Sequence, residues 1–166
     1  ETAPVSRLQQ AHGTYKQGRG ENGMTNEAFS RVKIDAQLRD RIMDCVRVRM
    51  ISERPLGAFL SGGLDSSAIV AAMSHIGATD IKTFSIGFED ESYNELPYAR
   101  RVAERYGTDH HELVVKPDAL EIVPKLAAYF DEPYADSSAI PSWYLADMAS
   151  KQVVVALNGD GGDELL

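Results

Sequence analysis

The sequence predicts an α/β domain: a parallel sheet with helices on both faces. Three observations predict it. Short apolar runs of strand length alternate four times with longer segments whose apolar residues recur every three or four positions. The last of the runs, Val153–Leu157, is apolar without interruption, as a strand covered on both sides should be. Two glycine-rich acidic stretches, Ser61–Ser67 and Asn158–Glu164, each follow directly on such a run. Ligands of parallel sheets sit beyond the carboxyl ends of strands, so both stretches are expected to open onto one crevice.

The elements follow in order. Residues 1–24 are rich in Gly, Gln, Thr and Glu without a sustained apolar period and read as a flexible arm or linker. The domain is expected over 25–166. From Thr25 to Ile51 the residues Phe29, Val32, Leu38, Ile42, Val46 and Met50 fall at helical spacing, and Pro55 ends the stretch. Leu56–Leu60 reads as a short buried strand. Ser66–His75 is a helix apolar nearly all round, closed by Gly77. Ile81–Phe88 is the next strand. Glu95–Tyr106 is an amphipathic helix with Pro97 near its start and Gly107 just past its end. His111–Val115 is a third strand, and Asp118–Phe130 another helix. The turn-rich Asp131–Pro141 leads into a helix over Ser142–Ala149, before the fourth strand at Val153–Leu157.

Bulk properties bound the partners. A net charge of −8 on 166 residues is the wrong sign for general nucleic-acid binding. It does not oppose a small anion, because local amides or a metal override net charge. No apolar run reaches the about 20 residues of a membrane span, and no signal peptide opens the chain. A single cysteine, Cys45, leaves no internal disulfide framework and fits a reducing cytoplasm; within its helix it reads as packing rather than as a nucleophile.

In the first acidic stretch, Gly62 and Gly63 let the backbone turn tightly and approach a ligand. The helix that follows points free amides and its positive dipole end at the same place, and Ser61, Ser66 and Ser67 add hydroxyls. This is an anion site made of neutral groups. It lacks the lysine of a Walker-type loop and carries Asp65 instead. Asp65 reads either as a cap of the helix or as a ligand of Mg²⁺ lying between the carboxylate and phosphate oxygens.

The string "SGGLDSS" resembles the PP-loop of the N-type ATP pyrophosphatases, whose architecture is that of the Rossmann-like adenine-nucleotide α-hydrolases. Related loops occur in GMP, NAD and argininosuccinate synthetases. The stretches "FSIGFEDESYNELPYARRVAERYGTDHHEL", "DEPYADSSAIPSWYLA" and "VVVALNGDGGDELL" follow in the order of the synthetase domain of glutamine-hydrolysing asparagine synthetases, a resemblance that runs from about Phe29 to Leu166. It implies ATP and Mg²⁺ as cofactors. It also implies adenylation of a carboxylate substrate, aspartate first, with release of pyrophosphate, after which ammonia displaces AMP.

By the same resemblance Asp65 and Asp163 hold the metal on the pyrophosphate, and Asp160, where the family often has glutamate, faces the substrate; these three are the catalytic candidates. Leu60, Ser61, Gly62, Gly63, Asp65, Ser66, Ser67, Asn158 and Gly159 are the nucleotide-binding candidates. They are joined by Ile86 and Gly87, whose backbone corresponds to the segment that meets the adenine edge, with Leu60 lining the opposite side. Ser137, Ser138 and Trp143 fall in the acceptor region, and Asp136 or Ser137 reads equally well as a helix cap. His110 and His111 do not share a metal ion, because neighbours on a strand face opposite ways.

The chain has no N-terminal nucleophilic cysteine, so ammonia is expected from a glutaminase domain elsewhere in the full-length protein or on another chain. Its end at Leu166, directly after the second acidic stretch, reads as a C-terminal truncation. A nonenzymatic nucleotide-binding fragment and a PP-loop amidotransferase with another acceptor are the alternative readings.

Overall fold

Four strands pair side by side, all parallel, in the order β3-β2-β1-β4. They are β1 (Leu56–Phe59), β2 (Lys82–Phe88), β3 (Asp109–Val115) and β4 (Val155–Leu157). The computed structural model describes residues 26–89, 94–116, 119–132 and 136–161. The helices are α1 (Asn26–Arg49), α2 (Leu64–His75), α3 (Leu96–Tyr106), α4 (Ala119–Phe130) and α5 (Ala139–Ser150). The chain divides into two compact units, Glu1–Asp40 and Arg41–Leu166. In the first, the described part is the opening of α1, where Leu38 is exposed and Arg39 pairs with Asp40 at 3.3 Å. The 1–24 arm and the side chains of Phe29 and Val32 lie outside the described residues.

In the second unit the sheet has an apolar layer on each face. One joins Ala58 and Leu60 of the β1 region to Val70, Ala72 and Met73 of α2, Ala99 and Ala103 of α3, and Val46 of α1. The other joins Phe84 and Phe59 to Leu145, Met148 and Ala149 of α5 and to Val153. The alternation of a strand produces this division: Ala58 and Phe59 are neighbours and face opposite layers. Helices on both faces of a parallel sheet are thus as the sequence predicts.

Local signals account for the boundaries. Gly77, at φ +92°, follows α2 in a Schellman arrangement: its N–H donates to the Ser74 carbonyl, and Ala78 N–H donates to that of Met73 at 3.1 Å. Gly107 ends α3 in the left-handed conformation at φ 63°. Other boundaries differ from the expectations. β3 begins at Asp109 rather than His111, because β2 offers partners to Asp109 and His110 in register. β4 is only three residues long: Val153 is a core residue below the sheet, and both Val154 and Val155 N–H groups turn to the Pro55 carbonyl. α5 starts at Ala139, with Pro141 in its first turn, where a missing N–H costs no helical bond. Cys45 is exposed, a correction to the packing expectation: the inward stripe of α1 runs through Ile42, Met43, Val46 and Met50 and leaves it outside.

Among the described residues no helix is long and apolar enough to cross a membrane.

Candidate functional site

The strand order places the site. Reading outward from β1, one neighbour (β2) follows it in sequence and the other (β4) arrives last, so the chain reverses its direction of travel across the sheet between β1 and β4. A crevice forms beyond the strand ends at such a point. Both acidic loops emerge there, from adjacent strands paired Leu56 with Val155, Gly57 with Ala156 and Ala58 with Leu157.

The loops touch. A Cβ built on Gly159 would lie 2.7 Å from Ser66 N, 2.9 Å from Asp65 C and 3.1 Å from Asp65 Cβ. Only a glycine lets the second loop's backbone rest on the first turn of α2. The first loop in turn rests on α3: Gly62, at φ +86°, would drive a Cβ to 2.5 Å from Ala99 N and 2.6 Å from Tyr98. Both its conformation and its surroundings therefore require glycine.

Within the first loop the hydroxyls of Ser61 and Ser66 bond each other at 2.9 Å. Ser61 N–H donates to Ser66 Oγ at 3.2 Å, and Gly63 N–H donates to Ser61 Oγ at 3.2 Å. Two of the three serines expected to face an anion thus fold the loop onto itself, with Ser66 buried. Ser67 is half-buried, and the first-turn amides of Leu64 and Asp65 have no intrahelical acceptor, while that of Ser66 lies against Gly159.

α2 begins at Leu64 with Gly63 as its cap, in extended conformation and without a side-chain bond. Asp65 is therefore inside the first turn, and the reading of it as the helix cap is corrected. The residue is half-buried, and its carboxylate has no hydrogen-bond or ion-pair partner among the described residues. An unpaired carboxylate beside free amides and the positive end of a helix fits a bridging cation.

In the second loop Asn158 Nδ2 donates to Asp160 Oδ2 at 2.7 Å, both residues being exposed. Gly161 takes φ +87°. Asp163 lies outside the described residues, as do Gly162 and Glu164.

The base-facing candidates separate. Leu60 N–H donates to the Phe84 carbonyl at 2.9 Å, so the polar groups of Phe84 face β1. By the alternation of the backbone those of Ile86 face the same side, beyond the end of β1, and those of Gly87 face β3. Gly87 is glycine for a packing reason: a Cβ there would meet Leu96 Cδ1 at 2.5 Å. Leu60 is 1 % exposed and belongs to the core, so it anchors the loop instead of walling the crevice. Its carbonyl accepts a hydrogen bond from the Ser85 hydroxyl, a buried group that the sequence reading passed over. The available signal was a second hydroxyl at the inward spacing of Thr83, since a buried hydroxyl must find a partner.

The cap position of α5 falls to Ser138, without a side-chain bond, rather than to Asp136 or Ser137; Asp136 closes the turn before it, its carboxylate accepting the Ser138 N–H at 2.8 Å and its carbonyl the Ala139 N–H. Ser137 and Ser138 are exposed, and Trp143 packs edge-on against Tyr129. His110 and His111 face opposite layers, as expected. His110 Nδ1 bonds Thr83 Oγ1 at 2.8 Å; His111 bonds Gln152 at 3.1 Å and stacks on Phe84. Burial holds the His110 pKa below the usual histidine value. Arg100, bonded bidentately at 2.7 and 2.6 Å, holds the Glu112 carboxyl below its usual range. Bonds from Lys82 and then His111 do the same for Asp109. No cluster of three or more metal-ligating side chains occurs among the described residues.

A family model described as asparagine synthase matches residues 37–166. "Asparagine synthetase [glutamine-hydrolyzing] 1" of Bacillus subtilis (strain 168) is 42% identical over 134 residues, 80% of this chain and 21% of its own length. "Putative asparagine synthetase [glutamine-hydrolyzing] 2" of Methanocaldococcus jannaschii is 42% identical over 141 residues, 82% of this chain and 27% of its own length. The chain thus spans between a fifth and somewhat over a quarter of these relatives. Among solved structures, an NH3-dependent NAD synthetase from Campylobacter jejuni aligns with a TM-score of 0.50 and 13% identity, over 79% of this chain and 58% of that one, a likeness of fold.

Proposed function

From the premise that the chain belongs to the asparagine synthase family, we propose that it carries the nucleotide site of an ATP-dependent amide-forming ligase. The reaction joins a carboxylate substrate, aspartate first among candidates, to the α phosphorus of ATP. A carboxylate oxygen forms the new bond, the bond from the α phosphorus to the bridging oxygen breaks, and pyrophosphate leaves with the electron pair. Ammonia then attacks the acyl carbon, AMP departs, and the nitrogen loses a proton to give the amide. A glutaminase domain in the remainder of the full-length protein, or on a separate chain, supplies the ammonia.

The observation that carries this reading is the contact of Gly159 with Asp65 and Ser66 where the sheet reverses direction. It brings the backbones of the two glycine loops together next to a helix N-terminus. The amides of Leu64 and Asp65 bind phosphate oxygens with no reorganisation of the loop, because the Ser61–Ser66 bond already fixes it. Ser67 contributes its hydroxyl from the same turn. Asp65, with Asp163, would hold Mg²⁺, which neutralises charge on the departing pyrophosphate. Asp160 is tethered by Asn158 through one carboxylate oxygen, and its second oxygen would serve the acceptor. Ile86 turns a donor and an acceptor toward the side where the base would lie.

The test uses the full-length protein with ATP, Mg²⁺ and ammonium, offered aspartate and a panel of other carboxylates. AMP and pyrophosphate are expected in equal amounts with the amide, and only when carboxylate and ammonium are both present. Formation of ADP and orthophosphate would contradict the proposal. Activity with another carboxylate in place of aspartate would keep the reaction and replace the substrate.

A further inference from the structure

Ser85 is a polar side chain beneath the crevice that the proposed reaction does not use. It is 2 % exposed and sits in a strand otherwise committed to the core. Among the described residues its single partner is the carbonyl of Leu60, the residue at which β1 gives way to the phosphate-side loop.

The register shows which rung is missing beside that bond. In a parallel pair, a residue donates to the residue before its partner and accepts from the residue after it. Leu60 N–H donates to the Phe84 carbonyl at 2.9 Å. Leu60 is therefore opposite Ser85, and the next rung would run from Ile86 N–H to the Leu60 carbonyl. That rung is absent: among the described residues no backbone bond joins Ile86 to Leu60. The Ser85 hydroxyl holds the carbonyl instead. The ladder stops one step early, and the N–H and C=O of Ile86, half-buried beyond the end of β1, are left facing the crevice.

We propose that Ser85 is a positioning residue whose hydroxyl occupies the Leu60 carbonyl, so that the Ile86 backbone stays free to pair with the edge of a purine base. This rests on the reading of the crevice as a nucleotide site. A backbone N–H and C=O side by side match an edge that offers one acceptor and one donor. The same hydroxyl fixes Leu60, hence the point from which Ser61 and the phosphate-side loop start. One buried group thereby ties the base edge to the phosphate loop.

The chain is tested as Ser85→Ala and Ser85→Cys, the second nearly isosteric and a far weaker donor, with Ser85→Thr as the variant that keeps the hydroxyl. Two readouts are taken: amide hydrogen exchange at Ile86 by NMR, and calorimetric affinity for ATP and for inorganic pyrophosphate, each with Mg²⁺. In the alanine and cysteine variants Ile86 N–H is expected to close onto the Leu60 carbonyl, so its exchange slows by about tenfold. ATP affinity falls by about three- to tenfold, the scale of one lost hydrogen bond, while pyrophosphate affinity stays unchanged. The threonine variant behaves as the wild type. Unchanged exchange at Ile86 in both variants overturns the proposal, as does an equal loss of ATP and pyrophosphate affinity. Slowed exchange with undiminished ATP affinity upholds the role of Ser85 and refutes the placement of a base at Ile86.

Discussion

Replacing Gly159 by alanine probes the contact on which the site depends. Gly159 does not have a positive φ, so an alanine there meets no conformational penalty of its own. The obstacle is contact alone: the new methyl would stand 2.7 Å from Ser66 N and 2.9 Å from Asp65 C. Both are backbone atoms of the first turn of α2, which cannot swing aside as the tip of a long side chain could. Separations of this kind must grow by several tenths of an ångström, and overpacking of that order costs about 1–3 kcal/mol. The strain has two outlets. If it remains in the fold, the melting temperature drops by about 2–12 °C. If the second loop lifts instead, stability is largely kept, and affinity for Mg-ATP falls by about five- to two-hundredfold, the same energy read as binding. Denaturant unfolding and calorimetry on one preparation measure both. Gly63→Ala is the milder comparison, since a Cβ there would meet only the Ser61 hydroxyl, at 3.3 Å, a separation relieved by a shift of about a few tenths of an ångström. A Gly159→Ala chain with wild-type stability and wild-type affinity would refute the loop contact.

Three further outcomes are expected. The folded pKa of His110 is lowered, chiefly by burial, from an ordinary 6.5, so its contribution to stability is intact above that value and is lost as pH falls through it toward the folded pKa. His110→Gln should flatten the stability profile just below pH 6.5 in urea titrations, and an unaltered profile would contradict the burial of a neutral imidazole. At lower pH the carboxyls of Asp109 and Glu112 act in the same direction, because their folded pKa values lie below the ordinary 3.8 and 4.5 and their stabilisation disappears only as they protonate; Glu112→Gln should shift the midpoint of acid unfolding upward in pH. Asp131 follows α4 at φ 56°, its N–H bonded to the Ala127 carbonyl, so Asp131→Gly is expected to stabilise the chain by about 0.5–1 kcal/mol in denaturant unfolding, with a loss of stability as the refuting result.

The parts of the fold that were legible in the sequence are those that local chemistry dictates. Gly77 and Gly107 end helices because the left-handed turn after each helix asks for glycine, and both could be read in advance. The sheet was legible because apolar runs and amphipathic segments alternate. Boundaries drifted where a partner strand decided the matter: Asp109 and His110 are polar, yet Lys82 and Thr83 recruit them into β3. The start of α2 was misread because serine and aspartate are common caps, whereas here Gly63 takes that position and Asp65 moves inside the turn. The site was half legible. Its loops were found from composition, but the engagement of Ser61 with Ser66, the bond from Ser85 to Leu60 and the tether from Asn158 to Asp160 depend on backbone paths that no local pattern specifies. Gly87 shows the limit most clearly: the resemblance put its backbone at the adenine edge, and the packing of Leu96 is what requires a glycine there.

The central claim is that Asp65, without a partner among the described residues, would share a metal with phosphate. The most direct measurement is calorimetric titration of this chain with ATP, in Mg²⁺ and then in EDTA, for the wild type and for Asp65→Ala. The account predicts binding to the wild type in Mg²⁺ that is weakened by at least tenfold when either the metal or the carboxylate is removed, with no further loss when both are. Binding of equal strength in all four conditions would contradict it.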